Sequence, residues 1–356
     1  MTNNNKRENK KQPILGFAAG APVLKGAKKG RISSFLERNR ESGGYLAKKV
    51  IGGGFMRFCR FVILMGLCFL ILQPLLNQIS VSIMANEDLF DPTVISVPRT
   101  LSTMNFNMAV MLMDYWATLA RTVWITLLVA ALQIVACTLA AYGFARYKFP
   151  LKNFWFICVI LTIIIPPQTI MAPLYLNFRF FDIFGIFTLI TGEPLNLLNT
   201  LQGYLILVAT GMGLRSGLYI FMLRQHFRNM PKELEEAAYV DGAGKIRTFV
   251  QIMLPDAMPM LVSCFLFAFV WQWTDSFYST LFLNTRGVLS MELAALGDRF
   301  IRWHQDLYGH AILPSIAIIQ ATIATGILLT LTPLIVLYSI AQRAFVESIG
   351  QSGIKM

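Results

Sequence analysis

Residues of the types that do chemistry are thinly spread along this chain. One Gly-Lys pair occurs, Gly244-Lys245, and Ile246 follows it where a phosphate-binding loop needs Ser or Thr. The chain is therefore not a P-loop ATPase. Neither Gly-x-Ser-x-Gly nor His-Glu-x-x-His is present, which leaves acyl-transfer and zinc-peptidase chemistry without support. His226, His304 and His310 lie far apart and form no ligand-spaced motif. Cys59, Cys68, Cys137, Cys158 and Cys264 stand in apolar runs, are odd in number and include no Cys-x-x-Cys. They read as buried reduced thiols rather than a disulfide framework or a metal site. No residue is assigned a catalytic or metal-ligating role.

What remains is one polar stretch between long apolar ones, Pro231 to Pro259, PKELEEAAYVDGAGKIRTFVQIMLPDAMP. Pro231 can open a helix, where its missing N–H costs little. Glu233, Glu235 and Glu236 follow in or just after the first turn, where negative charge is favourable. Leu234, Ala237 and Ala238 fall at i, i+3 and i+4 on one narrow apolar face, and alanine there lets another surface come close. Asp241-Gly242 breaks the pattern, because Gly accepts positive φ and Asp favours turns. A second helix reads Ile246, Phe249, Val250 and Met253, with Lys245 and Arg247 pointing elsewhere. Pro255 and Pro259 end it. From the residues alone, the segment is either a loop folded back on its own protein or a docking element.

The elements that must position this segment are apolar helices. The chain of 356 residues is 55% hydrophobic and 14% charged, more apolar than an ordinary soluble domain. Runs of spanning length cover about 55–83, 117–144, 154–176, 201–223, 260–283 and 312–340. Arg57 and Arg60 can snorkel at the start of the first. Pro166-Pro167 interrupts the third, as a simple kink or as a helix that flexes or lines a cavity.

Net charge is +12, and Lys and Arg concentrate in residues 1–50, 146–152 and 224–247. With six spans these segments fall on one side, which the positive-inside rule makes cytoplasmic, together with both termini. The acidic stretch with Glu87, Asp88, Asp91 and Asp114, the 177–200 loop and the segment from Arg286 to Asp306 fall outside. A nucleic-acid binder would instead gather its charge on a folded soluble face. Residues 1–50 lack the pattern of a cleavable signal peptide and read as a partly disordered basic tail near anionic lipid, with a weak amphipathic helix at Ile32–Leu36.

The polar stretch resembles the EAA loop of permease subunits in binding-protein-dependent ABC importers. The positions that carry the resemblance are Pro231, Glu236-Ala237-Ala238, Asp241-Gly242-Ala243, Phe249, Leu254-Pro255 and Pro259. Leu139 to Arg146, Ala172 to Tyr175 and Trp273-Thr274-Asp275-Ser276-Phe277 resemble further family stretches. Gln342 to Met356 resembles the ending of carbohydrate-importer permeases of the maltose type. The resemblance covers about Ala117 to Met356; the first fifty residues, the length of the 179–200 loop and Arg121 depart from it.

The resemblance implies an all-α, polytopic membrane protein of the type I ABC importer permease fold, with six transmembrane helices and a cytoplasmic coupling loop. The chain then divides into a basic tail (1–50), a first span with its outer loop (51–116), a permease core (117–341) with the loop at 231–259, and a C-terminal tail (342–356). It implies a multi-pass protein of the cell membrane, not an enzyme, that holds no cofactor itself. ATP and Mg belong to a partner ATPase dimer. Further partners are a second permease subunit, making a heterodimer, an extracytoplasmic solute-binding protein, membrane lipid and a sugar-type substrate; nucleic acid is not among them. Glu236, Ala237, Ala238, Asp241, Gly242, Ala243, Phe249 and Pro255 would meet the ATPase. Gly350, Gln351, Ser352, Gly353 and Lys355 would reach its dimer interface. Trp271, Trp273 and Asp275 are candidates for the translocation path, since an aromatic face stacks on a sugar ring and a carboxylate accepts its hydroxyl protons. The alternative for these three is core packing or contact with lipid or a partner helix. For the chain, the alternatives are a permease for glycerol phosphate, a polyamine or a peptide, or a secondary transporter.

Overall fold

Apolar runs at membrane depth must satisfy their own backbone groups, and the helix does this within one segment. In a computed structural model, which describes residues 40–41, 45–95, 97–284 and 287–353, helices carry almost all the regular structure. The described residues contain no strand, only two isolated bridges, Met84 with Leu101 and Phe181 with Leu195. Lys355, the amphipathic stretch at Ile32–Leu36 and most of the basic tail lie outside the described residues.

Two units divide the chain, Met1–Leu72 and Gln73–Met356. The described part of the first is the leading portion of helix α1 (Tyr45–Ile83). Phe58, Phe61, Ile63, Phe69 and Leu70 are all exposed along it. A helix apolar on every side suits lipid. Cys68 is exposed there, against the expectation of a buried thiol, because it shares this uniformly exposed apolar surface; Cys137 and Cys264 are buried, and all five thiols are free.

The second unit comprises α2 (Met104–Leu112), α3 (Tyr115–Arg146), α4 (Lys152–Ile164), α5 (Met171–Arg179), α6 (Leu201–Ala209), α7 (Ser216–Asn229), α8 (Glu233–Val240), a composite helical stretch α9 (Lys245–Asp256), α10 (Met258–Thr274), α11 (Leu289–Tyr308) and α12 (Ile316–Gly353). Helix α3 is its axis, packed by α7, α10 and α6. Its buried positions, among them Thr118, Thr122, Ile125, Val129, Gln133, Cys137 and Ala141, recur at helical spacing. Two of the buried hydroxyls are satisfied inside the helix, Thr122 donating to the Thr118 carbonyl at 2.7 Å and Thr138 to that of Ile134 at 2.5 Å. Small residues bring α7 close to α4. A Cβ on Gly217 would stand 2.8 Å from the Val159 carbonyl oxygen, so this contact requires glycine.

Three continuous helical stretches are long and apolar enough to cross a membrane: Gly53–Ile83, Tyr115–Arg146 and Ile316–Gln342. Two bent pairs add a further candidate each. Lys152–Ile164 and Pro167–Arg179 meet at 106°, where the Pro166-Pro167 pair ends one helix and a 3-10 turn starts the next; Lys245–Asp256 and Met258–Thr274 meet at 75°. The run expected as a fourth unbroken span is interrupted between α6 and α7. The run expected at 260–283 ends as a helix at Thr274, with a short helix Phe277–Phe282 after it. Glu292, Arg299 and Asp306, expected in an outer segment, lie on amphipathic helix α11, which buries Leu289, Leu296 and Phe300. Helix α12 runs without a break through Gln342 into the tail.

Candidate functional site

Helix α8 begins just after Pro231, with Lys232 accepting from the N–H groups of Glu235 and Glu236 at 3.0 Å each. Glu235 ties it to the end of α3. Its Oε1 accepts from the Tyr142 hydroxyl at 3.0 Å and lies 3.4 Å from Arg146 Nε. Arg146 also donates from Nη2 to the Met230 carbonyl at 2.8 Å. Partial burial and the charge of Glu235 raise the pKa of the neighbouring Tyr239 phenol. Glu236, the acid of the sequence motif, is exposed. So are Leu234 and Ala237; of the expected apolar face only Ala238 is buried.

The Asp241-Gly242-Ala243 triplet ends α8 in a Schellman turn. Gly242 N–H donates to the Tyr239 carbonyl at 3.1 Å and Ala243 N–H to that of Ala238 at 2.9 Å, with Gly242 at φ +80°. Nothing lies within 4 Å of where a Gly242 Cβ would stand, so the backbone conformation alone selects glycine there in this chain.

The second helix ends at Asp256, between Pro255 and Pro259 as the sequence expectation has it, but Pro255 lies inside its last turn. Proline removes a donor and crowds the preceding turn. The chain absorbs this with a π turn over Phe249–Met253, closed by Leu254 N–H on the Phe249 carbonyl, and places Pro255 at the start of the next helical turn. Helix continues to Asp256, then bends by 75° into α10, with Pro259 in its first turn. Phe249 anchors this stretch, its ring 4.6 Å from that of Tyr142 and 6.4 Å from that of Phe227. Leu234, Tyr239, Val240, Ile246 and Val250 stay exposed, interspersed with exposed charges such as Glu233, Glu236, Lys245 and Arg247.

A second region of interest is the break between α6 and α7. Gly211, at φ +75°, makes another Schellman turn: Gly211 N–H donates to the Val208 carbonyl at 3.0 Å and Met212 N–H to that of Leu207 at 3.1 Å. The chain re-enters helix through Arg215 at φ +62°. Buried Gln133 of α3 supplies what the break lacks, donating from Nε2 to the Leu214 carbonyl at 2.6 Å and to the Ser216 hydroxyl at 2.9 Å. The exposed Arg215 guanidinium lies 4.6 Å over the Trp271 ring.

The three path candidates separate here. Trp271 is exposed. Trp273 is buried and donates from Nε1 to the Thr330 carbonyl of α12 at 3.1 Å. Asp275 is buried as the cap of the short helix Phe277–Phe282. Its Oδ1 accepts from the N–H groups of Phe277 and Tyr278 at 3.1 and 3.3 Å, and its Oδ2 from Ser279 N–H at 3.0 Å. Gly350 to Gly353 lie in the last turns of α12. Sequence reasoning missed Gln133, Tyr142, Arg146 and Arg215. Signals were available for three of them: Tyr142 and Arg146 lie in the Leu139–Arg146 stretch that shares in the resemblance, and Arg215 is a charge inside an apolar run.

A family described as binding-protein-dependent transport system inner membrane component matches residues 133–351. A probable ABC transporter permease protein of Pyrococcus horikoshii is 36% identical over 173 residues, 48% of this chain and 56% of that protein, so the match spans little more than half of its length. The arabinooligosaccharides transport system permease protein of Halalkalibacterium halodurans is 24% identical over 292 residues, 81% of this chain and 93% of that one. Among solved structures, a bacterial ABC transporter involved in the import of the acidic polysaccharide alginate contains a chain that superposes with a TM-score of 0.63 at 18% identity, covering 83% of this chain and 98% of that chain.

Proposed function

Since the chain belongs to the family of binding-protein-dependent transport system inner membrane components, we propose that it forms part of the path of an ATP-driven importer of a sugar or oligosaccharide and takes its motion from a separate ATPase through residues 231–259. The observation that carries this is the loop itself. It is tied by Glu235 and Phe249 to the end of the central helix, closed by the Gly242 turn, and leaves Leu234, Val240, Ile246 and Val250 open to a partner. Exposed apolar groups concentrated on a short segment mark an interaction surface. ATP binding would close two ATPase subunits, and the docked loops would bias the helices between two packings.

Six spans follow when α10 alone, without the Lys245–Asp256 arm that belongs to the loop, and the interrupted α6–α7 pair are counted with the three continuous stretches and the bent pair Lys152–Ile164 and Pro167–Arg179. Both termini then face the cytoplasm, a second permease subunit completes the path, and a solute-binding protein delivers substrate from outside. We assign Trp271 to the path wall. Trp273 and Asp275 support that wall from within, one by tying α10 to α12 and the other by capping the helix that follows. Gly350–Gly353 and Lys355 are assigned to the ATPase dimer interface.

The test is Gly242→Asp in proteoliposomes with the ATPase and binding protein. The turn tolerates aspartate better than most residues, so the permease should fold and insert. At the docked surface an unpaired charge costs roughly several kcal/mol. Uptake and substrate-stimulated ATP hydrolysis should fall to background, with less ATPase retained on the purified permease. Wild-type uptake would remove the coupling role. Uptake of a neutral oligosaccharide against glycerol 3-phosphate separates the two substrate readings.

A further inference from the structure

Beside the coupling loop, the lining of a cavity of about 410 Å³ includes Arg146, Lys148, Lys152, Arg228 and Lys232 with Glu235 and Glu236. Five cations face two carboxylates. Glu235 is spent on Arg146 and Tyr142, which leaves four cations against Glu236. Lys152 is held in place by the Tyr147 carbonyl at 2.8 Å. Lys148, Arg228 and Lys232 are exposed and make no ion pair or side-chain hydrogen bond among the described residues. Like charges gathered in a concavity repel one another unless an anion sits among them.

A second, independent observation says which anion. Next to Lys148 and Lys152, the chain exposes Phe149, Leu151, Phe154 and Trp155 on the short connection and the first turn of α4. Aromatic and apolar side chains beside cations at a helix end are the pattern of a membrane interface, with rings at headgroup level and charges in the phosphate layer. A soluble anion would need the cations and would gain nothing from the apolar residues that adjoin Lys148 and Lys152 in the chain.

We propose that this cavity binds the phosphate headgroup of an anionic phospholipid of the cytoplasmic leaflet, with Lys148, Arg228 and Lys232 on the phosphate and the acyl chains along Leu151, Phe154 and Trp155. The site lies between the end of α3 and the coupling helix α8, so its occupant touches the element assigned to the ATPase. This rests on the cytoplasmic placement of the 146–152 and 224–247 segments.

The full chain in detergent, titrated with phosphatidylglycerol or phosphatidylcholine and read by native mass spectrometry, should retain phosphatidylglycerol preferentially. Each cation near an anionic surface contributes roughly a fivefold preference, so Lys148→Gln with Arg228→Gln and Lys232→Gln should lower retention roughly a hundredfold. Trp155→Ala should weaken the lipid alone. Inorganic phosphate serves as the second probe. If it binds as tightly as the lipid, and Trp155→Ala changes neither, the ligand is a soluble phosphate and the lipid assignment falls. If the triple variant keeps its phosphatidylglycerol and instead loses its ATPase, the cations face the partner protein and the proposal is overturned. Labelling of Lys148→Cys by an impermeant thiol reagent, with native cysteines removed, separates the two layers of the argument. Labelling only from the cytoplasm together with no lipid preference overturns this site and leaves the importer reading standing.

Discussion

The turn at Gly211 and the turn at Gly242 are the same local device in two different surroundings. Each closes a helix of eight or nine residues with glycine in the left-handed region and the same pair of backbone hydrogen bonds. After Gly242 the chain runs through exposed residues, and water can take whatever backbone groups the turn leaves free. After Gly211 it passes through buried Gly213 to buried Ser216, and Gln133 reaches across from α3 to supply the missing donors. A break in a helix is thus set by local sequence, whereas its tolerance is set by what lies beside it. The exposed break is free to serve a partner. The buried one is fixed by its neighbour.

Breaking that support should have the larger effect on stability. Gln133→Leu leaves the Leu214 carbonyl and Ser216 hydroxyl without their donor, which should cost about 2 kcal/mol, seen as a lower midpoint of thermal unfolding in detergent. An unchanged midpoint would mean that water or lipid replaces Gln133, and the contrast between the two breaks would disappear. Glycine-to-alanine changes sharpen the same contrast. Both turns need positive φ and both have open space, so each substitution should cost about 1 kcal/mol locally. Gly211→Ala should lower the global midpoint, because α6 belongs to a buried cluster with Tyr204, Leu207 and Phe282. Gly242→Ala should appear instead as faster amide exchange at 241–244 with the midpoint held, since an exposed loop opens below the global transition. Equal midpoint shifts would contradict the distinction.

The smallest effect is expected where neither break is touched. Asp88 Oδ2 accepts from the N–H groups of Arg99 and Thr100 at 2.7 Å each, fastening the 86–103 loop. The Thr100 N–H foremost, helped by that of Arg99, holds this carboxyl below the usual carboxylate range. A depressed pKa in the folded state gives stability that is fully present above the unfolded value and is lost as pH falls through the folded one. Protection of the Arg99 and Thr100 amides, taken as exchange relative to the intrinsic rate at each pH, should therefore hold at neutral pH and fall at acid pH, below the ordinary aspartate range near 4. Asp88→Asn should show little of this acid response.

The Gly242 turn is legible in the sequence because Asp-Gly between two helical patterns has one cheap conformation. The Gly211 break is not, because Met212 and Leu214 keep the run apolar and hydropathy does not register geometry. Gly211, Gly213 and Gly217 marked it beside Arg215, but the mean hydropathy of the run outweighed them. The choice of Glu235 over Glu236 as the tie to α3 depends on which side of α8 meets Tyr142, a tertiary fact absent from any local pattern. The π turn is hidden for a related reason. Proline announces a missing donor but not whether the chain will stop or widen a turn to pass it. Helix α11 carried a readable period at Leu289, Leu296 and Phe300, masked by the charges among them. For Trp273 and Asp275 the residue types suited a sugar, and burial spends both on internal hydrogen bonds.

The bend of 75° between Lys245–Asp256 and α10 has a mechanical reading. The stretch before the bend is about 18 Å long at 1.5 Å per residue. Set that steeply to α10, it is a crank arm: a push on Ile246 or Val250 acts on α10 mostly as torque and only weakly as thrust along its axis. The arm has one compliant point, the widened turn at Phe249–Met253, where the regular ladder is interrupted. Phe249 at that point rests on Tyr142, and Tyr142 is bonded to Glu235 at the other arm of the loop. The two arms therefore share a bearing on α3, the ring and hydroxyl of Tyr142.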